Sequence, residues 1–136
     1  MSVFLDSNIV LYALGADEDK RRIARVLLSA WPTLSTQVIN ECSHVLRRKL
    51  RLAPADVRTQ LSALIKVTHL RDVGMSEIRA AWALAERYGY SHFDSLIIAT
   101  ALATHCATLY SEDLQHRQVI DGRLTIIDPF KEDTVL

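Results

Sequence analysis

The sequence predicts an α/β fold in which helices cover both faces of a central, mostly parallel sheet of four to five strands. Short apolar, β-rich runs alternate with longer helical patterns along the chain, as in other proteins with parallel sheets. A length of 136 residues with 49% hydrophobic content supports one domain with a sizeable core. Only four glycines and three prolines occur, which argues against disorder and repeats. We therefore expect a single domain over residues 1–136, with a polar C-terminal tail at about 129–136.

The N-terminal segment predicts a strand followed by two helices. Val3–Leu5 is a short β-rich run that ends at Asp6, a residue type that favours turns and helix caps. Residues 9–14 are mostly apolar and predict a short helix. Residues 18–30 carry apolar side chains at helical spacing behind Asp17, a suitable N-cap, and predict a second helix.

The middle of the chain predicts two more strands and two more helices. Residues 33–35 predict a strand, and Thr36 would cap the following helix, which carries Glu41. Pro54 suits the first turn of the next helix, because its missing N–H has no partner there anyway. That helix leads into a strand over residues 66–70.

The last third of the chain predicts two helices and two strands. One helix starts at Ser76. Ser91 and Asp94 have the spacing of a capping box, with Asp in place of Glu, and open the second helix. Residues 107–110 and 124–127 predict the final strands.

Charge and cysteine content restrict the class of protein. Sixteen Lys and Arg balance sixteen Asp and Glu, which excludes a protein that holds nucleic acid by bulk charge alone. Cys42 and Cys106 form no CxxC pair and no disulfide framework, which favours a cytoplasmic location. The longest apolar run is far shorter than the ~20 residues of a membrane-spanning helix, and the N-terminus lacks the basic region of an export signal. We therefore expect no membrane association.

Four acids are expected at the carboxyl edge of the predicted sheet. Asp6 follows the first strand, Asp113 follows the strand at 107–110, and Glu41 lies about one turn into the helix after the second strand. Asp94 reaches this edge if its helix starts there. Ligands of parallel sheets bind beyond the carboxyl ends of the strands. Each acid alone has a simpler interpretation as a cap, turn or surface residue, so their shared position is what indicates a site.

Four converging carboxylates predict a bound cation. Like charges at short range raise each other's pKa values, and a multivalent ion relieves the repulsion. Oxygen ligands favour hard ions, so Mg²⁺ is expected, with Mn²⁺ as the alternative, and no HExxH or Cys/His pattern indicates zinc. Without these four acids the chain keeps sixteen cations against twelve acids. The neutral total therefore averages an acidic site with a modestly basic body.

The segments that contain these acids resemble the PIN-domain ribonucleases, and specifically the VapC-type toxins of type II (VapBC) toxin–antitoxin systems. The matching segments are, in chain order, residues 4–8 (FLDSN), 40–41 (NE), 91–99 (SHFDSLIIA) and 110–116 (YSEDLQH). Together they span nearly the whole chain. The last two segments are the most specific part of the resemblance.

This resemblance implies a PIN-like three-layer α/β/α sandwich and a Mg²⁺-dependent endoribonuclease that hydrolyses RNA phosphodiester bonds. It implies that the catalytic, metal-binding residues are Asp6, Glu41, Asp94 and Asp113. It implies supporting roles near the metal for Ser7, Asn8 and Ser111. The implied partners are RNA, a cognate VapB-type antitoxin and a second copy of the chain in a homodimer.

Two positions depart from the pattern of the family. Arg117 stands where related sequences commonly have Gly, which affects the expected loop conformation because Gly adopts positive φ at little cost. His92 stands where an aromatic or small residue is common. Neither departure removes an acid.

The sequence leaves two other functions open. One is a PIN nuclease that acts in RNA processing without an antitoxin. The other is an α/β module that binds Mg²⁺ for regulation without hydrolysis. The chain contains no GxxxxGK[ST] or GxGxxG run to hold phosphates, which disfavours the regulatory module.

Overall fold

The computed structural model describes residues 2–136, in which six strands and six helices alternate. The strands are β1 (Val3–Leu5), β2 (Thr33–Ser35), β3 (His69–Arg71), β4 (Thr108–Tyr110), β5 (Val119–Ile120) and β6 (Leu124–Ile127). The helices are α1 (Ser7–Ala13), α2 (Glu18–Leu28), α3 (Thr36–Arg48), α4 (Pro54–Ile65), α5 (Met75–Tyr88) and α6 (His92–Ala103).

The strands form one sheet in the order β3-β2-β1-β4-β6-β5. Every neighbouring pair is parallel except β5 and β6, which are antiparallel. The predicted α/β fold with a mostly parallel sheet is therefore confirmed. The sheet has one strand more than predicted, because β5 is only two residues long and carries no period-two pattern.

The core shows that both faces of the central strands are covered. Phe4 and Leu5 are adjacent in β1 and point to opposite faces, yet both are fully buried. All three residues of β2 are buried as well. On one helix, α6, every residue from Ser95 to Ala101 is buried. Burial on both faces is typical of a parallel sheet between two helix layers.

Several boundaries differ from those expected. The helix predicted over 9–14 begins two residues earlier, at Ser7, because Asp6 is its N-cap. The strand predicted over 66–70 starts only at His69, since α4 and a turn occupy the preceding residues. Ser35, rather than Thr36, caps α3 by accepting a 3.2 Å hydrogen bond from the backbone N–H of Val38.

Two further observations concern the whole described chain. Both cysteines are free and buried. Among residues 2–136, no helix has the length and apolar character needed to cross a membrane.

Candidate active site

Asp6 lies at the carboxyl end of the central strand β1 and is only 4% exposed. Its Oδ1 accepts a 2.7 Å hydrogen bond from the backbone N–H of Ser7, and its Oδ2 accepts one of 2.8 Å from the Ser111 hydroxyl. The backbone N–H of Asp6 donates to the carbonyl of Tyr110 at 3.0 Å, which continues the β1–β4 register beyond the strands. This register brings Ser111 beside Asp6.

The charge state of Asp6 is strongly affected by its surroundings. Burial raises the pKa of Asp6 to about 6, and the nearby charges of Asp94 and Asp113 add to the rise. The hydrogen bonds from Ser111 and Ser7 lower this pKa but do not offset the burial. The carboxylate is therefore oriented by neutral donors, and no cation among residues 2–136 forms an ion pair with it.

Glu41 approaches Asp6 from α3 and is half-buried. Burial is the main cause that raises the pKa of Glu41 to about 7, followed by the charges of Asp6 and Asp94. The Ser7 hydroxyl lies 3.5 Å from Oε2 of Glu41 and 3.4 Å from Oδ1 of Asp6. Ser7 therefore lies between the two carboxylates.

Asp94 occupies the first turn of α6. Its backbone N–H donates to the Ser91 hydroxyl at 3.2 Å, which confirms Ser91 as the predicted N-cap. Burial raises the pKa of Asp94, the hydroxyl of Ser91 lowers it, and the charge of Asp113 raises it again. Asp94 thus interacts electrostatically with each of the other three acids.

Asp113 follows β4 and is linked to Asp6 through one side chain. The amide of Asn8 donates to Oδ2 of Asp113 at 3.2 Å and lies 3.4 Å from Oδ2 of Asp6. The side-chain oxygen of Asn8, Oδ1, accepts a hydrogen bond from the backbone N–H of Glu112 at 3.0 Å. The Ser111 hydroxyl accepts one from the backbone N–H of Asp113 at 3.2 Å. Asn8 and Ser111 therefore fix this loop against the end of β1.

The structure brings all four predicted acids and the three predicted supporting residues to one edge of the sheet. Within residues 2–136, no three His, Cys, Asp or Glu side chains are arranged to hold a metal ion as they stand. Two of the carboxylates share the Asn8 amide, and two share the Ser7 hydroxyl, so their oxygens face these donors. The chemistry of the donor set, which consists of carboxylate oxygens, fits a hard divalent cation, and burial raises the pKa of Asp6, Glu41 and Asp94.

The sequence did not reveal a charged cluster beside these acids. Lys20 of α2 forms an ion pair with Glu112 and donates to the Tyr12 hydroxyl at 3.2 Å, while that hydroxyl donates to Glu112 at 2.6 Å. Burial alone would raise the pKa of Glu112, but the hydrogen bonds from Lys20 and Tyr12 lower it below its ordinary value. Glu112 stands in a segment that the sequence singled out, but its partners lie 92 and 100 residues away.

The loop after Asp113 is anchored at two further points. The Tyr90 hydroxyl, just before α6, accepts a 3.1 Å hydrogen bond from the backbone N–H of Gln115. Arg117 adopts a φ of 70°, a conformation that favours Gly, and its guanidinium forms an ion pair with Asp133. Arg117, which replaces the Gly common in related sequences, therefore keeps the positive φ that Gly adopts at little cost.

An α/β domain with acids gathered at the carboxyl edge of its parallel sheet belongs to a class whose sites lie beyond the strand ends. The chain belongs to the PIN domain family, whose model matches residues 3–121. A comparison with curated proteins gives no match.

Solved structures of toxin–antitoxin proteins share the fold. A toxin–antitoxin complex from Klebsiella pneumoniae matches with a TM-score of 0.73 and 22% identity over 96% of this chain and 99% of that chain. VapC20 of Mycobacterium tuberculosis, a sarcin–ricin loop cleaving toxin, gives 0.67 and 19% identity over 82% and 92%. VapBC2 from Rickettsia felis, bound to a promoter DNA fragment, gives 0.67 and 19% over 94% and 100%. The predicted PIN-like fold is thereby confirmed.

Proposed function

We propose that this chain is a Mg²⁺-dependent endoribonuclease and the toxin component of a toxin–antitoxin pair. The observation that carries the proposal is the gathering of four acids at one edge of the sheet, where Ser7 lies between Asp6 and Glu41 and Asn8 lies between Asp6 and Asp113. The charge of Asp94 acts on the same group. Membership of the PIN domain family supports a nuclease. The likeness to VapC20, which is named as a sarcin–ricin loop cleaving toxin, supports RNA as the substrate.

Asp6 and Asp94 are the first candidates to hold the ion, with Glu41 and Asp113 binding directly or through water. Mg²⁺ or Mn²⁺ would supply a water of lowered pKa and positive charge to offset that of the phosphodiester. The raised pKa values of Asp6 and Glu41 mean that part of the site is protonated near neutral pH. Both groups would lose that proton when a cation replaces it.

The neutral residues of the site have an orienting role. The backbone N–H of Ser7 and the hydroxyl of Ser111 hold the two oxygens of Asp6. The Asn8 amide donates to Asp113 at 3.2 Å and lies 3.4 Å from Asp6, so it contacts both carboxylates. No side chain of this set has to form a covalent bond with the substrate, because water can attack the phosphorus directly.

The proposed partners follow from the relatives. A complex named as toxin–antitoxin from Klebsiella and structures named as VapBC from Rickettsia and Salmonella share this fold. This likeness favours a cognate VapB-type antitoxin over a role in RNA processing alone. A homodimer would place two acidic sites along one groove. We expect the protein to act in the cytoplasm, where its RNA substrate is found.

The proposal is tested by brief expression in bacteria followed by mapping of newly formed RNA ends. We expect discrete ends with the wild type and none with Asp6→Ala. Asp19→Ala is the matched control, because Asp19 is an exposed acid on α2. Co-expression of an antitoxin encoded next to this chain should suppress the cleavage. Identical RNA ends with the wild type and Asp6→Ala would contradict the proposal.

A further inference from the structure

Phe93 is a large apolar residue that the fold leaves in water beside the acidic site. It stands one residue before Asp94 in the first turn of α6, and 57% of its surface is exposed. The core contribution of α6 comes from the continuous buried stretch between Ser95 and Ala101. Packing of this helix against the sheet therefore does not account for an aromatic ring at position 93.

The ring of Phe93 is paired with that of His92. Their centroids are 5.2 Å apart and the rings are inclined by 65°, an edge-to-face arrangement. Both residues are exposed, and the Ser91 cap fixes the turn on which they stand. The two rings form an exposed aromatic pair directly before Asp94 in the first turn of α6.

The proposed role of the acidic site concerns the phosphodiester and not the identity of a nucleobase. Its carboxylates act on the phosphodiester, and the phosphates are the same in every nucleotide. Proteins that hold single-stranded RNA stack its unpaired bases on aromatic side chains, and this contact accepts any base because every base has a π-face. An exposed aromatic ring next to Asp94 supplies the missing contact.

A second aromatic pair on the surface shows why position matters. Trp31 is 54% exposed and lies 6.0 Å from the ring of His69. This pair precedes β2 and opens β3, so it lies at the amino edge of the sheet, away from the four acids. Exposure alone does not distinguish the two pairs, whereas adjacency to Asp94 does.

We propose that His92 and Phe93 form a stacking platform for an unpaired base of the RNA, next to the phosphodiester that the acidic site cleaves. The proposal rests on the nuclease function proposed above. It assigns the substrate class as single-stranded RNA or a loop, because the face of a base is accessible there and covered in a duplex.

The test uses a single-stranded oligoribonucleotide that contains the mapped cut site, with each flanking base either present or removed as an abasic site. Phe93→Ala should raise KM by about 5- to 150-fold with kcat little changed, the range for one lost base–aromatic stack. At one abasic position, the wild type and Phe93→Ala should become equal. Phe93→Trp should restore the wild-type KM, and Trp31→Ala should leave it unchanged.

Binding of the same oligonucleotide with 2-aminopurine at the flanking position gives an independent readout. We expect quenching by the wild type and by Phe93→Trp but not by Phe93→Ala. The platform would be overturned if Phe93→Ala kept the wild-type KM and quenched 2-aminopurine fully. It would also be overturned if Phe93→Ala raised KM by the same factor on intact RNA and on every abasic RNA. Such results with active wild-type protein leave the nuclease proposal intact, whereas a wild type that cuts no RNA contradicts the nuclease proposal itself.

Discussion

The hydroxyl of Ser111 donates a 2.8 Å hydrogen bond to the buried carboxylate of Asp6, which lies 105 residues earlier in the chain. The bond joins the ends of two neighbouring parallel strands, β1 and β4. Together with the N–H of Ser7, it holds both oxygens of Asp6 without neutralising them. The pKa of Asp6 stays raised at about 6, because burial outweighs both hydrogen bonds. The protein thus keeps this carboxylate oriented although burial destabilises its charged form. A bound cation would offset that destabilisation.

The first prediction concerns stability against pH in EDTA. The folded pKa of Asp6 is about 6 against an ordinary value of 3.8, so the folded state binds the proton more tightly. The stabilisation that protonated Asp6 adds to the free energy of unfolding is therefore fully present below pH 3.8 and is lost as the pH rises through 6. The change amounts to roughly 3 kcal/mol. We expect urea unfolding of wild type and Asp6→Asn to diverge across this window, with the wild type losing more stability. Parallel curves would show that Asp6 does not titrate in this way.

The second prediction concerns Asn8, whose side chain bridges Asp6, Asp113 and the backbone of Glu112. Asn8→Ala should lower the free energy of unfolding by about 1–3 kcal/mol, because partly buried groups lose their partners. Asn40→Ala is the control, since Asn40 is exposed on α3. Chemical denaturation measures both, and equal effects of the two substitutions would argue against the bridge.

The third prediction concerns the ion pair of Lys20 with Glu112, whose side chains are 31% and 26% exposed. A double-mutant cycle with Lys20→Met and Glu112→Gln should give a coupling energy of about 1 kcal/mol. The matched control is the pair of Asp19 and Arg22, whose side chains are 90% and 72% exposed. Their coupling energy should be only about 0.3 kcal/mol. The same coupling in both cycles would mean that the Lys20 cluster does not hold the loop.

The fourth prediction concerns the positive φ of 70° at Arg117. A non-glycine residue pays about 1–2 kcal/mol in this conformation, whereas the exposed ion pair with Asp133 contributes about 0–1 kcal/mol. The difference stabilises Arg117→Gly by up to about 2 kcal/mol. The greater freedom of Gly in the unfolded chain removes roughly 0.5–1 kcal/mol of this, so we expect a net gain of at most about 1 kcal/mol. Thermal unfolding of Arg117→Gly and Asp133→Asn separates the two contributions. A lower melting temperature for Arg117→Gly than for Asp133→Asn would contradict this balance.

The closeness of the four acids in space could be predicted because it follows from the order of strands and helices along the chain. In a parallel sheet every strand ends at the same edge, so an acid after β1 and another after β4 must lie near each other. The N-cap at Ser91 was visible in the local sequence, and it fixes where Asp94 starts its helix. The cap depends on residues only three positions apart, and the shared edge depends only on the order of strands and helices along the chain.

Other features depend on contacts between distant parts of the chain, and the sequence did not reveal them. The pairing of Lys20 with Glu112 and the hydrogen bond from the backbone N–H of Gln115 to the Tyr90 hydroxyl exist only once the elements have packed. The strand β5 is too short to show a pattern and forms by pairing with β6. The positive φ of Arg117 is likewise set by its tertiary contacts and not by its own preference.

The most direct test of the four-acid site is the rate of cleavage of one RNA oligonucleotide as a function of Mg²⁺ concentration. It is measured for the wild type, Asp6→Asn, Glu41→Gln, Asp94→Asn, Asp113→Asn and the exposed control Asp19→Asn. We expect cleavage that saturates with Mg²⁺, stops in EDTA and falls by roughly 100-fold or more in each site variant, with the control unchanged. Cleavage that persists in EDTA, or that survives in Asp6→Asn and Asp94→Asn, would contradict a metal-dependent site built from these acids.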